Sequence, residues 1–160
     1  MKIRKFNGFN EKGYLPYGIY NMTFEEFRSL FGENSTKRKE ILTEYQKLMV
    51  EIKNTGYFLD HWIDGSFVST KENPNDIDTL TEFDGFEAEK NNDKEKIENI
   101  ISNSRSLTNN KCHSLRVYRY PSSDEIAYKL YLKSKMRILL ILFGHDREGI
   151  PKGIIHLIGD

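Results

Sequence analysis

Between residues 35 and 55 the apolar side chains recur as Ile41, Leu42, Tyr45, Leu48, Met49 and Ile52, the 3.6-residue spacing of a helix with one buried face. Gly56 stands where such a helix would stop. Ahead of it Thr23 and Glu26 make a capping box for a short helix that ends by Gly32. The rhythm then changes. Residues 57–64 are aromatic and branched, residues 76–83 alternate, and residues 113–119 do the same, which predicts three strands. Asp84-Gly85 makes a turn after the second. Residues 87–104 are charged and Asn-rich, with only Ile97, Ile100 and Ile101 in helical register, and predict a partly exposed helix after a mobile stretch at 89–95. Ser122 and Glu125 form a second capping box, opening a helix through about Phe143. Residues 144–149 turn the chain into a last strand at 154–158, expected at a sheet edge. Residues 1–22 are rich in Gly and Tyr and predict an extended arm, leaving 23–160 as one folded domain.

Composition narrows the class. A chain of 160 residues is one ordinary domain, with room for a core but none for a second substrate domain. Its 24 basic and 24 acidic residues cancel, so no global field favours nucleic acid or an anionic membrane, and general DNA binding is not expected. Local basic groups remain at Lys37, Arg38 and Lys39 and at Lys133, Lys135 and Arg137; both read as solvated helix faces. The single Cys112 excludes a disulfide framework, and His61, His113, His145 and His156 lack metal-ligand spacing. No apolar run reaches the roughly 18 residues of a membrane span, and no secretory signal follows Met1. A cytoplasmic protein is the simplest expectation.

The chemistry concentrates at Ile63-Asp64-Gly65-Ser66-Phe67 and Asn75-Asp76-Ile77-Asp78. The first is a small-residue bend at a strand end, where Gly65 admits a ligand close to the backbone and Ser66 adds a hydroxyl. If 76–83 is a strand, Asp76 and Asp78 share a face about 6.6 Å apart along the chain. Such a pair suits hard cations, and magnesium in particular, which takes one or two carboxylates and completes its octahedron with substrate phosphates. Both acids are therefore candidate metal ligands and catalytic residues. Glu82 lies on the same face by the two-residue period and is a third candidate. Lys71 and Arg147 are candidate phosphate partners. Lys152, between Pro151 and Gly153, reads as a solvated turn lysine; Asp64 reads as a turn residue bonded to following amides. Trp62 is expected in the core rather than against a base.

Gly65-Ser66 with Asp76-x-Asp78 resembles the signature of the nucleotidyltransferase superfamily. Leu15-Pro16-Tyr17-Gly18-Ile19-Tyr20, Thr23-Phe24-Glu25-Glu26-Phe27 and the segment from Asp146 to Ile154 extend the likeness to a branch of small bacterial nucleotidyltransferase-like proteins. The resemblance implies an α+β fold, a mixed β-sheet with helices packed against it. It also implies a magnesium-bound nucleoside triphosphate and transfer of a nucleoside monophosphate to an acceptor, a protein or tRNA, in a toxin–antitoxin or phage-defence setting. Residues 111–120 depart from the pattern: the superfamily takes a third carboxylate from this strand, and here it holds no Asp or Glu. By register His113 or Ser114 takes the place, and an imidazole is a poor magnesium ligand. Two readings follow, a magnesium-dependent nucleotidyltransferase and a catalytically silent interaction protein, an antitoxin or inhibitor, that keeps the fold.

Overall fold

The computed structural model describes residues 1–159. Among them six strands form one mixed sheet: β1 (Ile3–Arg4), β2 (Ile19–Met22), β3 (Phe58–Asp64), β4 (Ile77–Asp84), β5 (Cys112–Arg119) and β6 (Ile154–Leu157). Their spatial order is β1-β2-β6-β3-β4-β5. β3 runs antiparallel to both neighbours, and every other pair is parallel. The chain is thus an α+β domain with a six-stranded mixed sheet.

Helices cover both faces. On one side α1 (Phe24–Phe27) opens with the Thr23–Glu26 capping box and runs into a π turn at Arg28–Gly32. Next comes α2 (Thr36–Lys53), capped by the Ser35 side chain. Its expected stripe from Ile41 to Ile52 is buried, and Gly56, at φ +82°, ends the segment in a conformation that favours glycine. Phe27, Phe31, Tyr45 and Phe67 meet there, each burying an aromatic ring worth about 1.5–3 kcal/mol. The charged 85–107 region folds as three short helices, α3 (Gly85–Lys90), α4 (Lys94–Ser102) and α5 (Ser104–Leu107), which cross over between the parallel strands β4 and β5. On the other face α6 (Glu125–Arg137) continues as a π turn through Ile138–Phe143 and packs on Trp62, Leu80 and Val117. Its cap is Asp124, whose carboxylate accepts from the Ala127 amide, in place of the expected Ser122–Glu125 box.

Two expectations are corrected. β6 is not an edge: it pairs with β2 on one side and β3 on the other, and Ile154 and Ile155 are fully buried. Nor do residues 1–22 stand outside the domain, because β2 lies within the sheet and Leu15, Tyr20 and Met22 belong to the core. No helix among the described residues is long and apolar enough to cross a membrane.

The core also holds a histidine. His61 is buried, with Nδ1 2.9 Å from Thr81 Oγ1 and no hydrogen-bond partner for Nε2 among the described residues. Burial pushes its pKa down to about 3 from the ordinary 6.5. The neutral ring therefore contributes its full stability above pH 6.5, and that contribution is lost as pH falls from 6.5 toward 3. A His61→Gln variant is expected to lose less stability than the wild type between pH 7 and pH 4.5, by about 2–3 kcal/mol, in urea titrations at the two pH values.

Candidate functional site

β3 ends at Asp64, and Gly65 then turns the chain at φ 89°, ψ −171°, a region that is essentially glycine's alone. A Cβ on Gly65 would fall inside van der Waals contact of Asp78 Oδ2, so the missing side chain lets the bend and the acid pack together. The antiparallel register sets this up by placing Asp64 opposite Asp78. β4 in turn pairs Asp78 with His113 of β5, and His113 Nδ1 lies 3.2 Å from Asp78 Oδ1. Burial raises the Asp78 pKa and the charge of Asp76 raises it further, against the hydrogen bond from His113 and the positive charge of Lys152. Asp76 stands one residue before β4, with Arg105 Nη1 3.4 Å from its carboxylate. Ser66 opens a 3-10 turn, Ser66–Val68, whose first carbonyl accepts from Ser69 Oγ at 2.7 Å. Gly65, Ser66, Asp76 and Asp78 are thus gathered at one end of adjacent strands.

Glu82 is not part of this group. It shares the Asp78 face, as the period requires, but lies about 13 Å further along β4. There it is fully buried between Arg119 Nε and Lys135 Nζ, each at 2.6 Å. Two cations already answer its charge, which corrects its assignment as a stand-in third acid. Lys135, expected on a solvated face, is consequently a core partner that also lies over the Trp62 ring. Trp62 is itself buried and stacked on His156. The third-strand position opposite Asp78 belongs to His113, one of the two residues expected there.

Lys71 and Arg147 are both exposed, and among the described residues neither forms an ion pair with Asp64, Asp76 or Asp78. The lysine that does reach the site is Lys152. Its ammonium lies 2.6 Å from Asp64 Oδ2, and the loop that carries it is fixed by its own amide bonding Gly144 O and by Gly153 N bonding Leu15 O. Asp64 is only 3% exposed, and its Oδ1 has no hydrogen-bond partner among the described residues. Burial pushes its pKa up to about 7, against the pull of Lys152, with Asp78 adding to the rise. Lys152 is thus not the solvated turn lysine its local sequence suggests, whereas Asp64 accepts from the Gly65 amide, as expected of a turn residue, and is buried besides.

Arg38 also escaped the charge pattern, although it falls three residues before Ile41 on the buried stripe of α2. It is 2% exposed. Its guanidinium donates to the carbonyls of Phe31 and Phe67 through Nη1 and of Ser69 and Lys71 through Nη2, and it lies over the Phe67 ring. Three of these carbonyls belong to the segment that follows the Gly65-Ser66 bend, so Arg38 shapes the loop from behind.

A family model matches residues 7–158. The chain belongs to DUF6932, a family of unknown function. No curated protein and no solved structure matches it. The DUF6932 match takes in the bend, both acids, His113 and Lys152, and it reaches back through β2, in keeping with a domain that begins before residue 23.

The donor set of this DUF6932 member can be tested for magnesium. Asp76 and Asp78 offer carboxylate oxygens, Asp64 Oδ1 is an orphaned buried acceptor, and Gly65 leaves a cradle that a Cβ would fill. Among the described residues no three His, Cys, Asp or Glu side chains converge on a metal position. These residues therefore fit a hard cation that arrives with oxygen ligands of its own, rather than one held in an all-protein cage. Hollows of ≈ 260 Å³ beside Asp60 and His156 and ≈ 480 Å³ between Leu48 and Ile100 are lined by other residues.

Proposed function

We propose that this DUF6932 protein is a magnesium-dependent nucleotidyltransferase that binds a nucleoside triphosphate at the Gly65-Ser66 bend. It transfers the nucleoside monophosphate to a hydroxyl of an acceptor, a protein or a tRNA, in a toxin–antitoxin or phage-defence setting. The observation that carries this reading is the direct packing of Asp78 against the Cβ-less Gly65 at the paired ends of β3 and β4. A bend shaped for close backbone approach and a carboxylate pair suited to a hard cation then share one locus, as a phosphate chain with its counter-ions requires. Magnesium, when bound, would neutralise charge on the phosphates as the bond to the leaving pyrophosphate breaks. The residues of the chain position: Asp76 and Asp78 would hold the cation, Ser66 would offer its hydroxyl to a phosphate oxygen, and His113 would steady the Asp78 carboxylate from Nδ1.

Radiolabelled triphosphates incubated with the pure protein and a cell lysate test the transfer step. Label is expected on a protein or RNA, and Asp78→Asn should reduce it to background. A lysate that stays unlabelled with every triphosphate contradicts turnover.

A second reading has an observation in its favour. His113, opposite Asp78 on β5, stands where the resemblance implies a third acid, and α6 with its π turn exposes Ile126, Leu130, Met136 and Ile141. A member that has kept the fold and acts by binding a partner, as an antitoxin or inhibitor would, fits both facts. Nucleotide binding without transfer would favour it.

A further inference from the structure

We propose that the outward face of α6 and its π turn is a docking site for an acidic amphipathic helix of another protein, with Lys133 and Arg137 each meeting a carboxylate of that helix. The proposal rests on the binding reading above for its exposed residues, and it names the chemistry of the partner.

This element is apolar on both sides. Its inner side carries Tyr131, Leu139 and Phe143, all buried in the cluster with Trp62, Leu80 and Val117. Facing away from the sheet, Ile126, Leu130, Leu132, Met136, Ile141 and Leu142 are 39% to 76% exposed, nearly half of the large apolar side chains exposed among the described residues. A helix packed on a core by one face ordinarily turns polar groups to water, and one that is apolar all round is ordinarily buried all round. The outward side chains add nothing to the core, so their cover has to come from outside the domain.

Charge selects the cover. Ile126, Leu130, Lys133, Arg137 and Ile141 follow one another at steps of four, three, four and four residues, a single row along the helix. The row is about 22 Å long, roughly four helical turns. The other charges of this element are already engaged: Glu125 holds Lys129 at 2.5 Å, the Asp124 carboxylate caps Ala127, and Lys135 is bonded to the buried Glu82. Lys133 and Arg137 are exposed and form no ion pair among the described residues. They stand inside the apolar row rather than at its margins. A second copy of the chain would bring the same two cations against them, and like charges facing each other oppose a symmetric pair. An anionic bilayer would set acyl chains where the row carries these cations, whereas interfacial helices keep their cations on the polar side. A protein helix laid along the row can instead set Asp or Glu, four residues apart, opposite Lys133 and Arg137, with apolar side chains over Ile126, Leu130 and Ile141. Arg137 can hold its carboxylate through two parallel bonds, which also fixes the register.

The test is fluorescence anisotropy of a fluorescein-labelled designed peptide, a helix of about five turns whose one face carries leucines and two glutamates four residues apart. Wild-type protein should bind it more tightly than about 100 µM, and Lys133→Glu combined with Arg137→Glu should weaken binding about tenfold or more. Exchanging the two glutamates of the peptide for lysines should reverse the preference, so that the double variant binds it and the wild type does not. Leu130→Ser, at an exposed position, should give a loss of about tenfold without a charge change, and it decides if the double variant fails to fold. A wild type that does not bind the acidic peptide overturns the inference, as does binding that is indifferent to both the charge exchange and Leu130→Ser. Binding to phosphatidylglycerol vesicles through this face in place of the peptide, or a dimer in sedimentation that Leu130→Ser dissolves, overturns it as well. The readings fail separately: label transferred in the triphosphate assay removes the silent-protein reading and leaves peptide binding as support for docking, whereas a wild type that ignores the peptide removes the docking inference alone.

Discussion

Gly65→Ala is expected to abolish magnesium-dependent nucleotide binding and to lower the thermal midpoint by roughly 5–10 °C, the fall that a loss of about 2–3 kcal/mol gives in a domain of this size. Two costs combine. Alanine at φ 89°, ψ −171° is held in backbone space that L side chains scarcely enter. Its methyl group also lands on Asp78 Oδ2, so either the bend opens or the carboxylate leaves His113. Both outcomes separate the bend from the acid. Circular dichroism melts and nucleotide titration of the same preparation give the two readouts, and an alanine variant that melts and binds like the wild type contradicts the account.

Arg38→Met should destabilise the protein by about 3–5 kcal/mol, more than any substitution on the exposed face of α2. Methionine refills part of the volume but donates nothing, leaving the carbonyls of Phe31, Phe67, Ser69 and Lys71 without the one side chain that reaches all four. The loss is partly offset, since burial disfavours the charged guanidinium and the variant no longer bears that cost. Arg38→Lys is expected to recover a minor part, because an ammonium lacks the planar fork that spans two pairs of carbonyls. Urea unfolding measures both. The same variants should weaken nucleotide binding, because the backbone after Ser66 loses its support from α2. A fall in stability below 1 kcal/mol would show that the four bonds matter less than their geometry implies.

Local signals in the chain predicted what local physics controls. The stripe and caps of α2, the Thr23–Glu26 box and the three strands from 57 to 119 each depend on residues a few positions apart, and each is present within a residue or two. The bend at 65 and 66 follows from small residues at a strand end and Asp78 from the strand period, whereas Asp76, expected within the strand, stands one residue before it. The errors come from partners distant in sequence. A four-residue apolar strand reads the same at an edge or in the interior, and β6 is interior because β2 arrives from the other end of the chain. Glu82 has the right period, but Arg119 and Lys135 claim it from β5 and α6. Asp64 and Lys152 are separated by 88 positions, so neither looked like more than a turn residue beside its own neighbours. Arg38 is the exception, legible from its place on the α2 stripe had the apolar period been weighed above its charge.

Isothermal titration of ATP, GTP, CTP and UTP in the presence of magnesium, with Asp78→Ala beside the wild type, tests the central claim most directly. The account predicts that at least one nucleotide binds the wild type more tightly than about millimolar and that the alanine variant loses this binding. Wild-type protein that binds none of the four at that level, or an Asp78→Ala variant that binds as the wild type does, would contradict it.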